Sequence, residues 1–225
     1  EEATDDDAIR GAVIGKPNVG KSSLINYIAG EERVLVADEP GTTRDAVDMA
    51  WENDTGRYIW IDTAGIRRHS RVEDDVERYS VLRSYAAVDR ATVCVILLDA
   101  REGFTAQDSK IAGYAHQEGK ACIIAVNKWD LMAGSGVSAD AYCRKLRADF
   151  SFMPYAPILC ISAKTGHQVD RLFSLIRHVD GQNAMRVPTG RLNDVLADAI
   201  ARVQPPSDKG RRLKILYMTQ ASVRP

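Results

Sequence analysis

Gly15-Lys16-Pro17-Asn18-Val19-Gly20-Lys21-Ser22 follows the spacing G-x-x-x-x-G-K-[ST], with Ser23 next in line. Glycines at those positions let backbone N–H groups turn inward toward phosphate oxygens. Lys21 then reaches the β- and γ-phosphates, and the Ser22 hydroxyl is a ligand for Mg2+. Asp62-Thr63-Ala64-Gly65 supplies a carboxylate that can hold the metal through water. The glycine three residues later has an amide that can approach the γ-phosphate. Asn127-Lys128-Trp129-Asp130 is suited to guanine: Asp130 accepts two N–H bonds from the N1 and N2 edge, and the Lys128 stem covers the ring. Adenine would leave that carboxylate unpaired. In Ser162-Ala163-Lys164 the Ala163 amide can face the guanine O6.

Each motif needs a strand to aim it. Ile9–Ile14 reads as a strand running into the first motif, and Lys21–Ala29 as a helix with Leu24, Ile25 and Ile28 on one face. Ala46–Trp51 and Arg57–Ile61 flank Asn53-Asp54-Thr55-Gly56 as a hairpin. Thr92–Leu98, Ala121–Val126 and Ala156–Ile161 are apolar runs of strand length, suited to a sheet covered on both faces. Helical patterns begin near Thr105, with Asp108 as its capping-box partner, and cover 138–149 and 168–178. The order predicts an α/β fold, a doubly wound, mostly parallel six-stranded sheet with one antiparallel strand. After Asp180 the pattern changes: Gly190–Val203 reads as a helix, Pro205-Pro206 as a break and Arg212–Met218 as a strand.

The chain has 225 residues, 45% hydrophobic and 27% charged, enough for a substantial core and too apolar for wholesale disorder. A net charge of −1 excludes a polycation, so nucleic-acid contact must come from a local patch. The available patch is Lys209, Arg211, Arg212 and Lys214. Cys94, Cys122, Cys143 and Cys160 lack the spacing of a zinc site or a disulfide framework and read as free thiols in a reducing cytoplasm. Apolar runs fall well short of the roughly 20 residues of a membrane span, and no signal peptide is visible. A start at Glu1 reads as a processed chain or a fragment.

The four motifs resemble the G1, G3, G4 and G5 motifs of Ras-like P-loop GTPases. Pro40-Gly41-Thr42-Thr43-Arg44-Asp45 resembles switch I of the Era and TrmE branch. More narrowly, GKPNVGKSSL, PGTTRD, DTAGIRR, YSVLRSYAAVDRA, QDSKIAGYAHQEGKA and NKWD resemble the second G domain of the Der (EngA) family of tandem GTPases, over about 9–225.

The resemblance implies hydrolysis of GTP to GDP and phosphate by a switch acting in assembly of the large ribosomal subunit. The subunit, its RNA and a preceding G domain are the implied partners. It divides the chain into an acidic linker (1–8), a GTP-binding domain (9–182) and the N-terminal part of a KH-like domain (186–225). Thr43, with Thr42 its alternative, is the implied switch I sensor of Mg2+ and the γ-phosphate. Ile66 stands where Ras carries the water-positioning glutamine, so hydrolysis must be arranged differently. Relatives with that feature and a P-loop asparagine use K+, which Asn18 would help bind. The catalytic set is then Lys21, Thr43, Gly65 and Asn18. Arg44, Arg67 and Arg68 read as exposed loop charges or partner contacts in the switches, with a cis arginine finger the alternative, and 66–78 reads as switch II. The competing readings are the GTPase domain of a tRNA-modification machine and a nucleotide-gated binding module.

Overall fold

The structure, a computed structural model, describes residues 8–30, 48–63, 66, 76–203, 205–208 and 211–224. Its chain divides into two compact units, Glu1–Gly181 and Gln182–Pro225.

In the first unit the elements are β1 (Ile9–Ile14), α1 (Lys21–Gly30), β2 (Met49–Asn53), β3 (Gly56–Trp60), α2 (Val76–Arg90), β4 (Val93–Asp99), α3 (Ala106–Gln117), β5 (Ala121–Asn127), α4 (Ala139–Asp149), β6 (Ile158–Cys160) and α5 (Val169–Asn183). The described strands form one six-stranded sheet in the order β2-β3-β1-β4-β5-β6, all parallel except β2. This is the α/β architecture that the alternation of apolar runs predicts.

β4 and β5 are buried along their whole length, so alternate side chains feed two different cores. Val93, Val95 and Leu97 pack with Leu24, Ile25 and Ile28 of α1 and Leu172, Phe173 and Ile176 of α5. Cys94, Ile96 and Leu98 pack with Ala87 and Val88 of α2, Ile111 and Ala115 of α3, and Leu146 of α4. At the β2–β3 edge the Trp51 ring stacks on Phe173 at 4.3 Å, and Tyr58 meets Phe173 edge-on at 5.3 Å. Burying each such ring contributes about 1.5–3 kcal/mol, which closes the sheet edge against α5.

Helix starts follow local chemistry. Thr105 and Asp108 form the expected capping box of α3, and the Ser138 hydroxyl accepts from the Ala141 amide at the start of α4. Two strand expectations shift. Asn53 pairs with Gly56, leaving Asp54-Thr55 as a two-residue turn. The expected strand Ala156–Ile161 contracts to Ile158–Cys160, because Pro157 can accept from Ile124 N–H (2.9 Å) but has no N–H to donate. All four cysteines are free, three of them buried.

The second unit carries α6 (Thr189–Arg202) and two short strands, β7 (Ser207–Asp208) and β8 (Arg211–Arg212), which pair antiparallel. The expected strand Arg212–Met218 is corrected: Leu213 N–H still donates to Pro206 O (3.2 Å), past Leu213 the backbone has no ladder, and Leu216 is 78% exposed. Side-chain amides take the place of a partner strand. Asn193 donates to Met218 O (3.0 Å) and accepts from Met218 N–H (2.9 Å), while Gln220 Oε1 accepts from Val187 N–H (2.8 Å). Of the basic cluster, Lys209 lies outside the described residues, and Lys214 is exposed. Among the described residues no helix is long and apolar enough to cross a membrane.

Candidate functional site

Strand order reverses about β1: the chain passes from β1 to β3 on one side, then to β4 on the other. In such sheets the crevice lies beyond the carboxyl ends of the strands at the reversal. The loops that leave β1, β3, β5 and β6 there carry residues singled out by the sequence.

The loop after β1 is shaped by backbone constraints. Gly15 has φ +147°, and a Cβ there would stand 2.4 Å from Leu97 O. Gly20 has φ +98°, and its Cβ would stand 2.2 Å from Asn127 Nδ2. Exposed Asn18 adopts φ 62°, a left-handed conformation that asparagine tolerates. Pro17 lies beside it, partly buried, and Val19 is buried. The first intrahelical bond of α1 runs from Leu24 N–H to Gly20 O (3.0 Å), so the amides of Lys21, Ser22 and Ser23 form the open first turn. Those amides and the helix dipole favour an anion.

Lys21 Nζ donates to the carbonyls of Gly15 (2.8 Å) and Lys16 (2.5 Å). Burial pushes its ammonium down to about 8, against the opposing pull of Asp108. A phosphate beside it favours the charged form and raises that value. Below pH 8 the lysine is already charged and affinity is flat; above it, each bound phosphate chain must bring a proton. The affinity for GDP, measured by calorimetry without divalent ions, should fall about tenfold between pH 7 and 9. A flat profile over that range would sink this prediction.

After β5 the buried Asn127 joins two loops: its Nδ2 donates to Val19 O (2.8 Å), and its Oδ1 accepts from Ala163 N–H (2.9 Å). The Ala163 amide expected to face O6 thus also serves Asn127, and a guanine oxygen would share its hydrogen. Lys128, at φ 62°, donates to Asn18 O (2.6 Å) and to Asp99 Oδ2 (2.5 Å). The Trp129 amide donates to Ile161 O (3.0 Å), while its ring meets Tyr142 edge-on at 5.4 Å and packs toward the core. Ser162 donates to Asp130 Oδ1 (2.6 Å) and accepts from Thr165 N–H (3.2 Å). Lys164 is exposed.

After β3, Asp62 has φ 55°, and its amide donates to Asp48 Oδ1 (3.0 Å). Asp48 is in turn paired with Arg90. Thr63 is buried, and Ile66 packs against the α1–α5 core, its amide donating to Asp62 O (3.3 Å). Ala64, Gly65, Thr42, Thr43, Arg44, Arg67 and Arg68 lie outside the described residues.

Sequence reasoning missed Asp99, Glu102 and a second task for Asp108. Burial pushes Asp99 up, but the Lys128 hydrogen bond and the Arg101 amide outweigh it and hold the carboxyl below its usual value. The available signal was a lone aspartate ending the otherwise apolar run Val93–Leu98. Lys16 is 9% exposed and pairs with Glu102 at 2.7 Å and Asp108 at 3.8 Å.

Known proteins match this arrangement. Residues 10–128 match the family model described as 50S ribosome-binding GTPase, and 186–225 match the C-terminal KH-domain-like model of EngA bacterial GTPase enzymes. The chain is 59% identical to GTPase Der of Acetivibrio thermocellus over 100% of its own length and 51% of that protein's. It is 55% identical to GTPase Der of Ruminiclostridium cellulolyticum, covering 98% of this chain and 50% of the relative. The chain thus spans about half the length of the curated relatives it matches. Among solved structures, an Aquifex aeolicus Era variant bound to GDP.AlF4- is 25% identical, with a TM-score of 0.54 over 76% of this chain and 56% of that one.

Proposed function

Because this chain belongs to the family of 50S ribosome-binding GTPases, we propose that it binds GTP, hydrolyses it to GDP and phosphate, and acts thereby as a switch in assembly of the large ribosomal subunit. The observation that carries the reading is the Asn127 side chain, which ties the phosphate loop at Val19 to the base-recognition loop at Ala163. One residue thus sets the distance between the place for a phosphate chain and the place for guanine.

Gly15 to Ser23 hold the phosphates, with Lys21 charged against the β- and γ-phosphates. Asp130, Lys128 and the Ala163 amide hold the base. Ser22 and Asp62 offer hard oxygen donors on neighbouring elements, which fits Mg2+, the metal general to this class; Asp62 acts through water. Held there by Ser22 and Asp62, the metal would supply positive charge to offset that of the phosphate chain. Thr43 and Gly65 sense the γ-phosphate. Ile66 packs on the core and cannot orient water. We assign that shortfall to K+ held with Asn18, whose exposure in the loop leaves it open to a cation. Turnover should then be higher in KCl than in NaCl, and equal rates would remove K+ from the mechanism.

The 50S ribosome-binding family description supports the large subunit and its RNA as partners, and a preceding G domain and a cytoplasmic setting complete the reading. The test is sedimentation of the full-length protein with large ribosomal subunits. Binding with a non-hydrolysable GTP analogue and release with GDP are expected. No binding in either state, with the nucleotide site occupied, would leave the nucleotide chemistry standing and end the ribosomal reading.

A further inference from the structure

The phosphate loop is held at three places, and the nucleotide motifs account for two. Asn127 holds Val19 O and Lys128 holds Asn18 O, which anchors the second half of the loop. In the first half Lys21 holds the carbonyls of Gly15 and Lys16 from within the loop, and the Lys16 side chain ties it to residues outside. It reaches across the β1–β4 crevice to Glu102 and to Asp108 on the first turn of α3.

The two carboxylates are unequal. Glu102 is 59% exposed, so water screens its attraction for Lys16 despite the 2.7 Å approach. Asp108 is fully buried. Its Oδ2 accepts from Thr105 N–H (3.0 Å) and Oγ1–H (2.6 Å), and its Oδ1 has no hydrogen-bond partner among the described residues. A cap does not require such burial: Ser138 starts α4 with a single bond to Ala141 N–H from a side chain open to solvent. A buried, half-satisfied carboxylate is unfavourable unless a cation compensates it. The cations available are in the phosphate loop. Lys16 Nζ stands 3.8 Å from Oδ2, and the Asp108 charge also reaches Lys21. The Lys16 carbonyl in turn receives the Lys21 ammonium at 2.5 Å.

We propose that Asp108 is a positioning residue for phosphate binding, which acts through Lys16 to fix the Gly15–Lys16 backbone and with it the Lys21 ammonium. The inference rests on the phosphate-loop reading of residues 15–23. It separates two parts of the site: the base loops and the second half of the phosphate loop are anchored by Asn127, Lys128 and Ser162, the first half by Lys16 against α3.

Asp108→Asn keeps an acceptor for both Thr105 bonds and removes the charge. Lys16→Met cuts the same link from the loop side, so the test survives if either variant folds poorly. Affinities for GDP and for guanosine are measured by calorimetry and competition for wild type, each variant and the double variant. GDP affinity should fall by about tenfold to a hundredfold in each single variant. Guanosine affinity should be unchanged, and the double variant no weaker than Lys16→Met alone. Unchanged GDP affinity in Asp108→Asn, equal loss of guanosine, or additive losses would each overturn the proposal. Wild-type protein that binds guanosine but no GDP would overturn it together with the phosphate-loop reading.

Discussion

Asp130→Asn should exchange guanine for xanthine as the preferred base. The Ser162 hydroxyl donates to Asp130 Oδ1 at 2.6 Å, which fixes one oxygen of the carboxylate. In the variant the amide oxygen takes that position, because only an oxygen can accept the Ser162 proton. The NH2 group then faces the base edge. Guanine presents its N2 amine there, so donor meets donor. Xanthine presents a carbonyl, which restores a hydrogen bond. A buried polar mismatch of this kind discriminates by about 10^4. GDP and XDP affinities, measured by displacement of a fluorescent nucleotide, should move in opposite directions. A parallel loss of both would mean that Asp130 supports the loop without reading the base. Retained GDP affinity would remove it from the site.

Gly20→Ala should weaken nucleotide binding by about a thousandfold while the fold survives. A Cβ at φ +98° is strained by itself, and it would stand 2.2 Å from Asn127 Nδ2. Asn127 cannot swing aside cheaply. It is 2% exposed and committed at both ends, to Val19 O and to the Ala163 amide. Relief of the clash therefore moves the phosphate loop or breaks both bonds, and either outcome separates the two halves of the site. Strain of about 1–3 kcal/mol plus two lost hydrogen bonds of about 1 kcal/mol each predicts a loss on the order of a thousandfold. GDP affinity and thermal melting of the ligand-free protein check it together. A variant that binds GDP as wild type does would show that the loop accommodates a Cβ. One that melts far lower would show that Gly20 serves the fold first.

These two predictions draw on different kinds of information. The expectations that Asp130 meets a base and that Gly20 closes a phosphate-binding loop rest on residue type and spacing. That Asn127 stands behind Gly20, and that Ser162 fixes one oxygen of Asp130, was not legible there. Asn127 and Val19 are 108 positions apart, and Ser162 and Asp130 are 32 apart. No local pattern carries such a pairing.

The errors have the same origin. Arg212–Met218 and Ala156–Ile161 are apolar and β-branched enough to be read as strands. Strand formation needs a neighbouring backbone as well. Pro157 delays the pairing of β6, and past Leu213 Asn193 and Gln220 supply amides where a strand would be. Asp108 is the opposite case. Its capping role was visible three residues from Thr105, but its place beside Lys16 depends on the loop after β1 lying next to the start of α3.

The sequence by itself determined the order of strands and helices in the first unit, the doubly wound sheet and the four motif loops. Each rests on hydrophobic periodicity, turn chemistry or spacing within one segment. Only the tertiary structure decided which loops touch: Asn127 with Val19 and Ala163, Lys128 with Asn18 and Asp99, Lys16 with Asp108. Such contacts depend on strand order and on which charges are buried together. Both are properties of the assembled sheet, where the low dielectric between packed elements makes a distant partner matter more than an adjacent one.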